Sequence, residues 1–133
     1  MFRCAVSKLL PAAALLCATA LQAQSFGETE RKFPATALRG TMVFGASTQA
    51  TLNGQPVQLA PGARIFDPEN RLLLTGDANG AKAVVHYTTD LYQQPLTVWI
   101  LTEAERRKQP WPKTLAEAQA WRFDFLSQTW SQP

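Results

Sequence analysis

Histidine is the side chain most often used for acid–base and metal chemistry near neutral pH, and His86 is the only histidine of the 133-residue sequence. Zinc and copper sites need several His, Cys or Met ligands, so the sequence predicts no metal and no other cofactor. Ser47 or Ser127 could be combined with His86 and Asp90, but neither serine lies in the Gly-x-Ser-x-Gly turn of a hydrolase nucleophile. The sequence therefore predicts no catalytic residues and a protein that is not an enzyme.

Two arginines are candidate anchors for an anion or a partner. Arg64 follows the turn sequence Pro61-Gly62 in the most unusual local run of the chain, and Arg39 lies in the first predicted strand. The alternative interpretation is structural. In it, the turn residues only set the backbone, and Arg64 pairs across the sheet with Asp67 or Asp90.

Tryptophans are the second group of candidate binding residues. Trp99 lies within a predicted strand, whereas Trp111, Trp121 and Trp130 belong to the C-terminal part of the chain. So many aromatic rings in a short chain have two interpretations. They either pack the tail across an open end of the barrel or form a groove for a peptide, a glycan or a partner protein. Trp99, Trp111 and Trp130 are therefore kept as candidate binding residues.

A small-ligand site is the competing hypothesis. In it, His86, Tyr87, Asp90 and Trp99 line the mouth of a small barrel, where a few polar groups among aromatic rings would hold the ligand of a carrier or an enzyme. A purely structural accessory protein is the third hypothesis.

The N-terminus has the pattern of a secretory signal peptide. Two basic residues precede an uncharged run at residues 9–21, which is shorter than the roughly 20 residues of a transmembrane helix. Small residues favour cleavage after Ala23, with Ala20 as the alternative. The sequence therefore predicts a signal peptide at residues 1–23 and a periplasmic or secreted protein that is not integral to the membrane after cleavage.

Cleavage after Ala23 would change the chemistry of the chain. It would remove both cysteines, Cys4 and Cys17, together with Arg3 and Lys8, so the formal charge of +3 falls by two. A cysteine-free chain has neither disulfides nor thiolate chemistry. A nearly neutral chain attracts phosphate backbones weakly, so we expect no nucleic-acid partner.

The central part of the chain, residues 37–102, predicts β structure. Short apolar segments alternate with turn signals, and Asn53-Gly54 is the strongest because both residues tolerate the positive φ angles of a type I′ turn. Pro56 cannot donate to a ladder and is expected at a strand start or on an edge. No helical crossover separates the segments, which excludes a parallel α/β sheet. The predicted fold is mainly β: a small antiparallel meander barrel of OB or SH3 scale, with five to seven short strands.

The flanking segments are predicted to differ from this core. Residues 24–36 are polar and form a flexible N-terminal arm in this prediction. Residues 103–133 form an aromatic-rich tail with short helices, because Thr102 and Thr114 are each followed three residues later by Glu, the pattern of a capping box. The first helix should stop before Pro110.

Five stretches carry a family resemblance: Phe33–Gly40, Leu52–Gly54, Leu59–Ile65, Val98–Thr102 and Pro110–Pro112. Together they resemble a family of small, uncharacterised exported proteins of Gram-negative bacteria, and the similarity extends over about Phe33 to Trp130. The resemblance implies an envelope location and a small β domain. It implies no activity, cofactor or catalytic residue.

These patterns lead to one functional expectation. The sequence contains no catalytic constellation and has a surplus of aromatic rings. We therefore expect an exported, non-catalytic binding or interaction module of the cell envelope, whose partner is an envelope protein or polymer.

Overall fold

The structure, a computed structural model, describes residues 30–133. The predicted signal peptide, its cleavage site and both cysteines lie outside the described residues, as does the first part of the predicted arm. Arg31–Pro133 form one structural unit. Within the described residues, no helix combines the length and apolar character needed to cross a membrane.

Strands dominate the described part of the chain, which confirms the mainly β prediction. Seven strands form a mixed sheet with the order β3-β2-β1-β6-β7-β4-β5, and β8 and β9 form a separate hairpin. In chain order the strands are β1 (Leu38–Phe44), β2 (Gln49–Leu52), β3 (Gln55–Gln58), β4 (Arg64–Phe66), β5 (Leu72–Leu73), β6 (Lys82–Thr89), β7 (Pro95–Ile100), β8 (Arg122–Asp124) and β9 (Thr129–Ser131).

Two short helices follow the large sheet, each beginning at a predicted cap. Helix α1 (Glu103–Arg106) starts after Thr102, and both hydrogen bonds of its capping box are formed. Helix α2 (Leu115–Ala120) starts after Thr114, whose side chain accepts from the Glu117 amide. The hairpin of β8 and β9 was not predicted, because each strand has only three residues, too few for alternation between polar and apolar residues to identify a strand.

The sheet is strongly curled, but it is not a closed barrel. In a flat sheet, five strand spacings would separate β3 from β4 by about 24 Å, whereas the six peptide steps that join them reach at most about 21 Å. The curl is visible at Leu59 and Ala60, whose neighbouring amides donate to the carbonyls of Thr48, just before β2, and Pro95, in β7. The edge strands β3 and β5 do not pair with each other, so the predicted closed barrel is not found.

The pairing of β4 also differs from the antiparallel meander that the sequence predicts. The connection after β3 carries the chain from one edge of the sheet to the far side of β7, and β4 then runs parallel to β7. The other strand pairs of the large sheet are antiparallel. Pro56 lies in the edge strand β3, as its missing N–H requires.

The large sheet has two different faces, called here inner and outer. The inner face carries the main core, in which Met42, Val85 and Val98 are fully buried. The outer face carries Arg39, His86 and Trp99, which are direct neighbours across β1, β6 and β7. A second apolar cluster covers this row with rings from the arm and the tail; its buried members are Phe33, Ala37, Leu101, Trp111 and Trp130.

The left-handed backbone of the turn between β2 and β3 can be tested by replacing glycine with alanine, once in the turn and once at a control position. Asn53 and Gly54 have φ angles of 52° and 82°, and a Cβ at Gly54 would meet nothing within 4 Å. Gly54→Ala should lower the free energy of unfolding by about 1 kcal/mol, because only the left-handed backbone opposes the methyl group.

Gly76→Ala is the matched control for this turn. A Cβ there also meets nothing within 4 Å, and Gly76 does not have a positive φ. This variant should be neutral or slightly stabilising, since it restricts the unfolded chain. Urea denaturation measures both values, and equal effects would contradict the left-handed conformation at Gly54.

Candidate functional site

Arg39 is a buried cation on the outer face, where it caps helix α1. It lies opposite His86, and the two residues are 7% and 1% exposed. All five N–H donors of the guanidinium are used. Nε and Nη2 reach His86 Nε2 at 3.2 and 3.0 Å, Nη1 donates to the carbonyls of Arg106 and Lys108, and Nη2 also donates to the Glu105 carbonyl. These carbonyls lie at the end of α1 or just beyond it, where backbone acceptors lack the amide four residues on that a longer helix would supply.

Burial sets the charge states of this pair. Desolvation lowers the pKa of Arg39 from 12.5 to about 10 against the opposing effect of Glu105, so the guanidinium stays charged at neutral pH. Burial, followed by the positive charges of Arg39 and Arg31, lowers the pKa of His86 from 6.5 to about 2. His86 is therefore neutral and accepts at Nε2. This assigns its proton to Nδ1, which has no hydrogen-bond partner.

Arg31 connects the N-terminal arm to α1. Its Nε donates to a carboxylate oxygen of Glu105 at 3.0 Å, and Nη2 bonds the other oxygen. Nη1 donates to the Asp67 carbonyl at 2.9 Å, and Nη2 also donates to the Ile100 carbonyl at 2.7 Å. Glu105 also accepts from the Thr102 amide, so one carboxylate completes the capping box and neutralises Arg31.

Aromatic rings enclose the buried pair. Trp111 stacks on the His86 ring with centroids 4.0 Å apart, and Phe33 meets the same ring edge to face at 4.5 Å. Trp111 also lies under the Arg39 guanidinium, and its Nε1 donates to the Ala37 carbonyl. These contacts join arm, sheet and tail. We call the whole set the Arg39 cluster: Arg31, Phe33, Arg39, His86, Glu105 and Trp111.

The Arg39 cluster has the chemistry of a structural network. Its carboxylate and guanidinium groups are held by hydrogen bonds, and the His86 ring lies between Trp111 and Phe33. Within residues 30–133, no three His, Cys, Asp or Glu side chains come together as potential metal ligands. The cluster therefore holds the tail on the sheet and presents no exposed acid or base.

The four residues of the predicted barrel-mouth site lie in different places. His86 and Tyr87 are adjacent in β6, so their side chains are on opposite faces. Tyr87 is in the inner core, where burial raises its pKa. Asp90 lies in the turn after β6 and accepts from the amides of Tyr92 and Gln94. Trp99 lines a surface pocket to which the other three do not contribute.

Two of the candidate binding residues, Arg64 and Trp99, meet in that pocket. In the parallel register of β4 and β7, Arg64 lies beside Thr97, and Phe66 lies beside Trp99. The Phe66 and Trp99 rings are nearly parallel, with planes 17° apart and centroids 6.4 Å apart. We call these four residues the platform; they line a cavity of about 400 Å³ whose other lining residues are Arg31, Lys32 and Asn70.

Arg64 differs from the other cations around the platform. Arg31 is paired with Glu105, and Lys32 donates to the Leu126 carbonyl at 2.8 Å. Asp67, a predicted partner of Arg64, instead pairs with Arg71 at 3.0 Å. In the described part of the chain, the Arg64 side chain forms no ion pair or hydrogen bond, and the residue is exposed.

The remaining candidates, Trp111 and Trp130, are 4% and 5% exposed and belong to the second apolar cluster. Sequence reasoning missed Phe66 and Thr97, although strand alternation could have found them, since each is two residues from Arg64 or Trp99. It also missed Arg31, Lys32 and Asn70 as lining residues, because their positions depend on tertiary packing.

No protein-family model matches this chain, and neither a curated protein nor a solved structure matches it. The resemblance to exported proteins of Gram-negative bacteria therefore stays a prediction.

Replacing Arg39 tests whether it holds the tail on the sheet. Arg39→Met keeps much of the volume but removes the guanidinium that donates to His86 and to the Glu105, Arg106 and Lys108 carbonyls. We expect the free energy of unfolding to fall by about 3 kcal/mol. The control is Arg122→Met on the exposed face of β8, which should change stability by about 0.5 kcal/mol or less. Chemical denaturation compares the two, and an equally stable Arg39→Met protein would contradict the capping role.

His86 predicts an acid-dependent loss of stability. Its folded-state pKa of about 2 lies below its usual value of 6.5, so only the unfolded chain binds this proton between those values. The contribution of His86 is complete above pH 6.5 and is lost as the pH falls, by about 1.4 kcal/mol per pH unit.

The variant His86→Gln isolates this effect, because its amide oxygen can still accept from Arg39. Between pH 6.5 and 5, the original protein should lose about 2 kcal/mol more stability than the variant. Denaturation at a series of pH values measures the difference. NMR of the folded protein provides a second readout: His86 ring signals that titrate near pH 6.5 would show that the histidine is not buried as described.

Proposed function

We propose that this protein is an exported, non-catalytic binding module of the cell envelope, and that it contacts its partner through the platform. In this proposal it acts in the periplasm or after secretion, and the partner is an envelope protein or polymer. The curled sheet serves as a barrel-like scaffold that keeps β4 and β7 rigidly side by side.

The observation that carries the proposal is the incomplete cover of the outer face. Arm and tail bury Arg39 and His86, whereas the neighbouring region at Phe66 and Trp99 is only partly covered and forms the cavity. This partly covered region combines two aromatic rings with an arginine whose side chain is unpaired. Aromatic and arginine side chains are enriched where proteins bind each other tightly.

Exposed apolar residues extend the same surface. Leu72 lies directly opposite Phe66 on the edge strand β5 and is 59% exposed. Leu126 is also exposed, and its carbonyl accepts from Lys32, one of the lining residues at the rim. A binding surface with an apolar centre and a polar rim has this arrangement.

The competing hypothesis of a ligand carrier or enzyme near His86 has less support. A general base must reach its substrate directly or through one water, and His86 is enclosed by Trp111 and Phe33. Its lowered pKa also removes it from acid–base work at neutral pH. The platform lies beside this histidine, across Trp99, and needs no proton transfer to bind.

Site-specific crosslinking in intact cells tests the proposal. In one protein, a photoreactive phenylalanine analogue replaces Thr97, which belongs to the platform. In the matched control, it replaces Gln55 in β3, the edge strand at the other end of the strand order. We expect a crosslinked adduct from position 97 in the envelope fraction and none from position 55.

Two controls make this outcome decisive. Denaturation of the labelled proteins shows that both remain folded, and Arg64→Gln combined with the label at Thr97 should weaken the adduct. Equal crosslinking from both positions, or none from position 97, would contradict the proposal.

A further inference from the structure

The hydrogen-bonding groups around the platform are mostly donors. Arg64 offers a whole guanidinium, and Lys32 uses one of three ammonium donors on the Leu126 carbonyl. None of the lining residues is an acid. Nearby carboxylates are paired with other residues: Asp67 and Glu69 with Arg71, and Glu105 with Arg31. Acceptor capacity is therefore limited among the lining side chains to Thr97 and Asn70.

These donors and acceptors favour one class of ligand. A cation would find no counter-charge among the side chains that line the pocket. A glycan presents hydroxyls that need acceptors as well as donors, and the pocket has few acceptors. A membrane surface is held by several basic residues, each contributing about 1 kcal/mol, whereas a single guanidinium here lacks a partner. An anion that carries an apolar group satisfies both the donors and the rings.

The spacing of the groups narrows the class further. Arg64 and Phe66 are two residues apart on one face of β4, a separation of about 6–7 Å along the strand. In a single C-terminal residue, the carboxylate and the side chain are both attached to one Cα. The distance from the carboxylate to the end of a large side chain is similar to this spacing. The cavity of about 400 Å³ is at the small end of ligand pockets, about 300–1,000 Å³, and suits one terminal residue better than a strand passing through.

We propose that the platform binds the C-terminal residue of a partner polypeptide. Arg64 forms a two-point hydrogen bond with its carboxylate, and Phe66 and Trp99 contact its apolar side chain. Lys32 adds a charge at the rim. The proposal rests on the platform being the binding surface, and it specifies the group that this surface recognises.

Matched probes test the recognition of a terminal carboxylate. N-acetyl-phenylalanine and its uncharged amide are titrated into the purified protein, with the indole N–H of Trp99 followed by NMR. The acid should bind at least about tenfold more tightly than the amide, because only the acid pairs with the guanidinium. Arg64→Gln should abolish this preference, whereas Arg122→Gln, which removes an equal charge from β8, should preserve it.

Longer probes identify the source of the carboxylate. One peptide ends in a free Phe acid, a second is the same peptide amidated at its C-terminus, and a third has an internal Glu-x-Phe and an amidated end. Tightest binding of the first supports the proposal. Equal binding of acid and amide, tightest binding of the internal glutamate, competition by inorganic phosphate at the same concentration as the peptide, or no binding of any probe would overturn it.

The outcomes also separate this inference from the proposed function. Crosslinking from Thr97 without a preference for the carboxylate leaves the binding module intact and rejects the terminal residue as its ligand. Absence of both crosslinking and probe binding rejects both.

Discussion

The buried guanidinium of Arg39 is the interaction on which the rest of the outer face depends. A charge removed from water is tolerated only when hydrogen bonds and counter-charges replace the lost solvent. Here the replacements come from His86 in β6 and from three carbonyls at or just beyond the end of α1. Because the donors are fixed in one planar group, the helix can lie in only one place relative to β1.

The position of the tail follows from this constraint. Helix α1 brings Glu105 to Arg31, which anchors the arm, and the chain after α1 brings Trp111 onto the His86 ring. Gln128 then ties the hairpin of β8 and β9 to both backbone groups of Phe33. The covering layer therefore buries His86 in β6, whereas Trp99 in β7 and Phe66 in β4 stay half-buried and Arg64 stays exposed.

The sequence predicted the features that are determined by residues close together in the chain, namely the turn between β2 and β3 and the start of helix α1. Asn53 and Gly54 have the positive φ angles that a tight hairpin requires, and Thr102 forms the capping box that its spacing predicts. The parallel pairing of β4 with β7 depends instead on how the sheet curls, and no short segment encodes that. The pairing of Arg39 with His86 depends on the register of β1 against β6, so the sequence offered both residues as binding candidates without showing that they satisfy each other.

Arg39 and Arg64 show why residue type alone does not locate a binding site. Both are strand arginines on the outer face, and both were equivalent candidates in the sequence. The His86 ring and the carbonyls at or just beyond the end of α1 use every donor of Arg39. The carboxylate nearest to Arg64 in the chain, that of Asp67, is held by Arg71. A guanidinium that the fold leaves unpaired beside two aromatic rings contributes no hydrogen bond to stability in the described structure. Its free donors are therefore available to a ligand, and this makes β4 and β7 the part of the molecule where binding should be sought.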